Sequence, residues 1–299
     1  MASSGFDLMV QKFFENLDQC ISDFLSRDYI SDVRYLNENY INEKFNFSNF
    51  AEYPPQMFVG NPSLLKPNKN IFLLGLNPKW LGFEHKWFDT EYRLWIEAVN
   101  ALQKERNLSK VYEEKTKYFS ENSNMYYGRY FTKLGNGLGS SFLKIKNNSK
   151  DKIGFSKNIF NNFIFKTDII PWHSKDTKGI DFKKLVDEKP ECFMSYMSFL
   201  KDMFSNFDPM WIHCNGLQSR ELIEMLFDTT LIEYQVADKE KNFRILIGKT
   251  KLMIDDNFIE KPIIMHAFSN SPTGPSNSSN FNRIADKFFE ITNINPNLI

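Results

Sequence analysis

At 299 residues, with 42% hydrophobic and 25% charged side chains, the chain has globular composition and enough length to bury its own core without a partner. Lys plus Arg and Asp plus Glu balance at 37 each, so whole-chain charge marks no polyanionic partner, and any nucleic-acid contact must be a local patch. No run reaches the ~18 apolar residues of a membrane span, the first residues lack a secretory pattern, and Cys20, Cys192 and Cys214 are spaced like reduced thiols, so a soluble cytoplasmic protein is expected.

Leu8, Met9, Phe13, Leu17, Ile21 and Phe24 recur at helical spacing and predict an N-terminal amphipathic helix over 6–24. The Asn-, Pro- and Ser-rich stretch 37–67 reads as an irregular connection. Residues 1–54 are therefore expected to form a helical extension and 55–299 the main domain. Four short apolar runs, Asn70–Leu74, Phe163–Ile170, Met210–Cys214 and Pro262–Phe268, read as buried strands, being too short for helices. Helical patterns over Thr90–Lys104, Met125–Leu134, Phe193–Phe204 and Ser219–Phe227 separate them, and another follows over Asn280–Ile291. The run Gly135-Asn136-Gly137-Leu138-Gly139 reads as a loop, and Leu231–Val236 with Phe243–Gly248 as a small inserted hairpin. The expected fold is α/β, a three-layer α/β/α sandwich around a mostly parallel four-stranded sheet. In such sheets ligands meet the carboxyl ends of the strands.

The first strand ends in Gly75-Leu76-Asn77-Pro78-Lys79-Trp80-Leu81-Gly82-Phe83. Gly permits close approach of a ligand and Asn can hold a water, but a strand-to-helix turn capped by Asn reads equally well. The second ends in Asp168-Ile169-Ile170-Pro171-Trp172-His173, which puts a carboxylate in an apolar strand. Such a group is functional, caps a backbone or pairs with a Lys. His173 can line a pocket, but a lone His beside Trp172 reads more readily as a packed surface residue. In the third run His213 and Cys214 are strand neighbours pointing to opposite faces, so they are no nucleophile–base pair. The fourth carries Met265-His266-Ala267-Phe268-Ser269-Asn270-Ser271-Pro272-Thr273-Gly274, a small-residue loop before a helix that offers N–H groups to a phosphate or is simply a flexible loop. The His and Cys spacing fits no zinc site, and no cofactor is expected.

Taken together these segments resemble the uracil-DNA glycosylase superfamily, most closely its single-strand-selective monofunctional branch. That branch has a first motif of the form Gly-Met-Asn-Pro-Gly-Pro-Phe-Gly-Met, against residues 75–83 here. The resemblance covers roughly 55–291 and implies that Asn77 positions a water to attack C1′ of a flipped nucleotide, with Gly75, Leu76 and Pro78 lining the base and Trp87 or Phe88 stacking on it. Where the branch reads uracil with Asn-x-x-Pro, this chain has Asp168-Ile169-Ile170-Pro171. A carboxylate suits the 4-amino donor of cytosine, with one proton shared between the base N3 and Asp168, and so points to a modified cytosine, such as a hydroxymethylated or glucosylated phage base in antiviral defence. The family's His-Pro-Ser-Pro motif is matched by His266, which would stabilise the base O2, or, in another register, by Asn270-Ser271-Pro272-Thr273-Gly274 with His266 left inside the strand. Ser271, Pro272, Thr273 and Gly274 are expected on the DNA backbone. The partner implied is DNA and the protein a monomer. Uracil repair and a catalytically silent DNA-binding module are the alternative expectations.

Overall fold

In the computed structural model residues 5–42, 44, 49–76, 78, 80, 82, 92–117, 119, 131–147, 150–237, 242–254, 257–268, 274–275 and 277–295 are described, with side chains from residue 15 onward. The strands are β1 (Ile71–Gly75), β2 (Ile164–Asp168), β3 (Trp211–Asn215), β4 (Ile232–Ala237), β5 (Asn242–Ile254) and β6 (Asn257–His266). They form one sheet in the order β2-β1-β3-β6-β5-β4. The four predicted runs are its parallel part. The expected four-stranded sheet is nevertheless corrected to a mixed six-stranded one. The predicted hairpin is no appendage, because β5 runs antiparallel along β6 from Ile245 opposite His266 to Ile254 opposite Asn257, and β4 pairs outside it.

The helices are α1 (Gly5–Leu25), α2 (Tyr29–Tyr40), α3 (Arg93–Glu105), α4 (Ser109–Thr116), α5 (Thr132–Gly137), α6 (Lys152–Phe163), α7 (Phe182–Glu188), α8 (Glu191–Phe207), α9 (Arg220–Phe227) and α10 (Ser278–Thr292). Strand side chains alternate between two cores, as a period of two requires. Phe72, Leu74, Phe165, Ile212, Cys214, Ile263 and Met265 face a core shared with α1–α4 and α7–α9. Ile71, Leu73, Ile164, Trp211 and Ile264 face a second core shared with α5, α6 and α10. Helices on both faces of a sheet make the three-layer arrangement.

Helix starts follow local chemistry. Asp151 accepts from the amides of Ile153 and Gly154 at α6, Asp181 from Lys184 at α7 and Asn277 from Asn280 at α10, each satisfying a first-turn N–H that has no intrahelical acceptor. The glycine run 135–139 is not the expected loop. It lies in α5 and in the π-helical turn Leu138–Phe142 that continues it. A Cβ at Gly135 would strike Ser156, at Gly137 Phe281 and at Gly139 Ile159, so these glycines let α5 press onto α6 and α10.

Residues 1–54 do not stand apart from the rest. Leu17, Ile21 and Phe24 are buried in the same core as Phe72 and Phe204, and Phe24 stacks on Phe199 of α8. The segment 50–59 lies along β2 and the loop after it. Ala51 N donates to His173 O (2.8 Å), Gln56 N to Pro171 O (2.8 Å) and Val59 N to Lys166 O (2.9 Å). Among the described residues no helix is long and apolar enough to cross a membrane.

Candidate active site at the strand ends

The segments after β1 and β2 run side by side beyond the last strand pair, Gly75 opposite Asp168. Ile169 N donates to Gly75 O (3.0 Å), Ile170 N to Leu76 O (2.9 Å), Ser174 N to Pro78 O (3.2 Å) and Trp80 N to Ser174 O (2.9 Å). The two motifs singled out in the sequence are thus one backbone ladder. Asn77, the expected water-holding residue between Leu76 and Pro78, lies outside the described residues, as do Trp87 and Phe88. Leu76 is buried, and Pro78 belongs to the ladder.

Strand parity gathers the polar side chains on one face. Lys166 and Asp168 in β2, Gly75 in β1, His213 and Asn215 in β3 and His266 in β6 share the phase of Ile164, Ile71, Trp211 and Ile264, which point into the second core. Asn215 sits opposite His266, and the buried carboxylate of Asp168 overhangs Gly75, where an added Cβ would fall on Oδ1. Gly75 is required there by space, because its side-chain volume is already taken by the neighbouring carboxylate.

Asp168 is paired. Lys166, two residues earlier and on the same face, places Nζ 3.1 Å from Oδ2 and 3.3 Å from Oδ1, with 11% of the Lys and 6% of the Asp side chain exposed. The ammonium compensates a carboxylate that would otherwise be costly to bury. Pairing with a Lys, one of the readings open for Asp168, is thus present in the structure. A proton shared with a base N3 would now compete with this ion pair.

His266 occupies the last position of β6, buried, with both ring nitrogens engaged. Nδ1 lies 2.7 Å from Ala267 O, which can only accept, so Nδ1 carries the proton and Nε2 accepts from His213 Nε2 at 2.8 Å. In this arrangement the one N–H of His266 goes to its own strand end, where a donor to a base O2 was expected. Burial holds both imidazoles neutral, His266 lowered to about 4 and His213 well below its ordinary value, the latter also through His266. Phe142 and Phe281 close around the pair edge-on, at 5.1 and 6.0 Å between ring centroids. Cys214 faces the opposite core, where burial pushes its thiol up, so it supplies no thiolate.

His173 is not the surface residue expected. It is 3% exposed, and the rings of Tyr53, Trp80 and Tyr92 surround it with centroids at 4.8, 6.2 and 6.1 Å. Burial first, then the charges of Lys115 and Lys166, hold its pKa well below the ordinary value. Lys115 is itself buried, 3.4 Å from the centre of the Trp95 ring and 3.2 Å from Gln56 Oε1.

Of the expected backbone contacts, Ser271, Pro272 and Thr273 lie outside the described residues. Gly274 is buried, and a Cβ on it would strike Phe268 O. Sequence reasoning missed Lys166, His213, Tyr53 and Lys115. Only Lys166 left a readable trace, a second charge at period two from Asp168 in an apolar strand. Among the described residues no cluster of His, Cys, Asp and Glu could hold a metal ion. The chain matches no protein-family model and no curated protein.

Proposed function

We propose that the protein is a monofunctional DNA glycosylase that flips a cytosine-type base, carrying a 5-substituent that marks it as modified, into the strand ends of β1, β2, β3 and β6 and hydrolyses its N-glycosidic bond. The observation that carries this reading is the ladder joining Gly75–Trp80 to Asp168–Ser174. It sets the carboxylate of Asp168 beside the segment that holds Asn77. A glycosylase needs a base reader and a water holder within one nucleotide's reach.

In this mechanism Asn77 holds the water that adds to C1′ as the base departs with the bonding electron pair and takes up the proton the water releases, and Asp168 accepts from the exocyclic amino group. His266, spent on Ala267 O and His213, is a positioning residue that sets the turn into the last loop. The alternative register, in which Asn270-Ser271-Pro272-Thr273-Gly274 meets the leaving base and the DNA backbone, takes the role once expected of the imidazole.

The test incubates wild type and Asn77→Ala with DNAs containing uracil, cytosine or glucosylated hydroxymethylcytosine, then cleaves abasic sites with alkali. Strand breaks from wild type on the modified cytosine, reduced by about 10²-fold or more in Asn77→Ala, are expected. Breaks on uracil alone would transfer the protein to uracil repair. Tight binding with no breaks on any substrate would leave a silent DNA-binding module.

A further inference from the structure

We propose that Lys166 is a second base-reading residue, and that the Lys166–Asp168 pair reads an adjacent acceptor and donor on the base edge, Asp168 taking the 4-amino hydrogen and Lys166 donating to the ring nitrogen N3. The inference rests on the glycosylase reading and deepens it.

Three features of β2 carry it. Residues 166 and 168 lie on one face of the strand, and the Lys166 side chain reaches forward along it, so both charged heads sit at the carboxyl end of the sheet beside Gly75. An ammonium has three N–H groups, of which at most two go to the two oxygens of Asp168, at 3.1 and 3.3 Å. Among the described residues its hydrogen bonds go to Asp168, and it is only partly buried, with 11% of its side chain exposed. A part-buried ammonium with a spare N–H next to a carboxylate fits a partner that brings an acceptor alongside a donor.

The edge of a 4-aminopyrimidine is such a partner, with the N4 amino donor next to the N3 acceptor. Uracil presents the same two kinds of group in the opposite order, O4 accepting and N3–H donating, so a pair that meets the base in one fixed orientation tells them apart. This also removes the need to protonate Asp168, because the proton on the N3 side already belongs to Lys166. The aromatic box around His173 and the His213–His266 pair offer no comparable donor, since their rings are neutral and packed.

The test measures binding, by fluorescence anisotropy, of DNAs whose target nucleotide carries a 2′-fluoroarabino sugar to block excision. The target base is 5-hydroxymethylcytosine or its 3-deaza counterpart, in which N3 is replaced by C–H. Wild type should bind the parent about tenfold more tightly than the 3-deaza probe, as expected for one hydrogen bond from a charged donor. Lys166→Met should bind both probes equally at the weaker level, and Lys166→Arg should keep part of the preference. A wild-type preference that survives in Lys166→Met overturns the proposal and returns N3 to Asp168, and equal binding of both probes by wild type overturns it outright. Should Lys166→Met fail to fold, as judged by its circular dichroism, the wild-type probe ratio and Lys166→Arg decide. The same wild-type preparation is assayed for excision on cleavable DNA. Excision with a flat probe ratio sinks only the role of Lys166, whereas no excision and no base-dependent binding sinks the glycosylase reading and this one with it.

Discussion

The two halves of the row at the carboxyl edge of the sheet are built from opposite materials. At β1 and β2 an ammonium and a carboxylate face each other over a glycine, and the ammonium keeps one N–H without a partner among the described residues. At β3 and β6 two neutral imidazoles hydrogen-bond to each other and to a backbone carbonyl, under aromatic rings. Buried charge is expensive and belongs where a ligand can complete it, whereas the neutral imidazole pair, although it leaves His213 Nδ1 buried without a partner, holds β3 to β6. On the proposed glycosylase function, the difference divides the row into a chemical half and a structural half.

That division can be broken from either side. The largest effect is expected from Asp168→Ala, which strands the buried ammonium of Lys166. Loss of one member of a buried ion pair costs about 3–5 kcal/mol, readable by denaturant unfolding. Stability within 1 kcal/mol of wild type would mean that the pair is solvated and that the chemical half is not buried.

Next comes Gly75→Ala, whose methyl group takes the position of Asp168 Oδ1. Excision should fall by about 10²-fold in single-turnover assays, the loss expected when one aligned polar group is displaced. Wild-type rates in this variant would remove Asp168 from the site.

His213→Leu should do the reverse. It leaves His266 Nε2 buried without its donor and costs about 1–3 kcal/mol, while excision per folded molecule stays within about twofold of wild type. A rate loss much larger than the stability loss would move the histidine pair into the chemistry.

A further effect is one of pH. His266 has its folded pKa depressed to about 4, below the ordinary 6.5 of an unfolded imidazole. Between these values the unfolded chain binds a proton that the folded one refuses, so stability falls as pH drops from 6.5 towards 4 and is flat with respect to this group above 6.5. The slope contributed by one such imidazole is at most about 1.4 kcal/mol per pH unit. His213 and His173, lowered for the same reason, add in the same direction. Melting temperatures between pH 7 and 5 that do not change would show the rings to be solvated.

The parallel strands were legible in the sequence because a strand covered on both faces must be apolar throughout, as β1 is. β5 is seven residues longer than the expected 243–248, six of them beyond Gly248, because Lys249 and Lys251 interrupt the apolar run. Those lysines belong to an antiparallel arm whose Met253 and Phe258 stand exposed. α6 and α7 escaped notice, since their apolar faces are short and their clearest marks are single capping aspartates. In the site, Gly75 and Asp168 could be picked out because a glycine and a carboxylate are out of place at the ends of apolar strands. Lys166 was lost inside a run taken as uniformly apolar. Tyr53 carried no local signal, and His213 drew notice only beside Cys214, since their partners are distant in sequence: Trp80 and His173 for the one, His266 for the other.

β2 is the outermost strand of the sheet on its side, and what lies against it is the strip 50–59, joined by the Val59–Lys166 bridge and by the Thr167 hydroxyl on Met57 O. An uncovered outer strand is a template on which a second chain can zip. A truncated chain lacking the first 59 residues would therefore bare the amide and carbonyl of Lys166 and offer β2 as an edge for self-association.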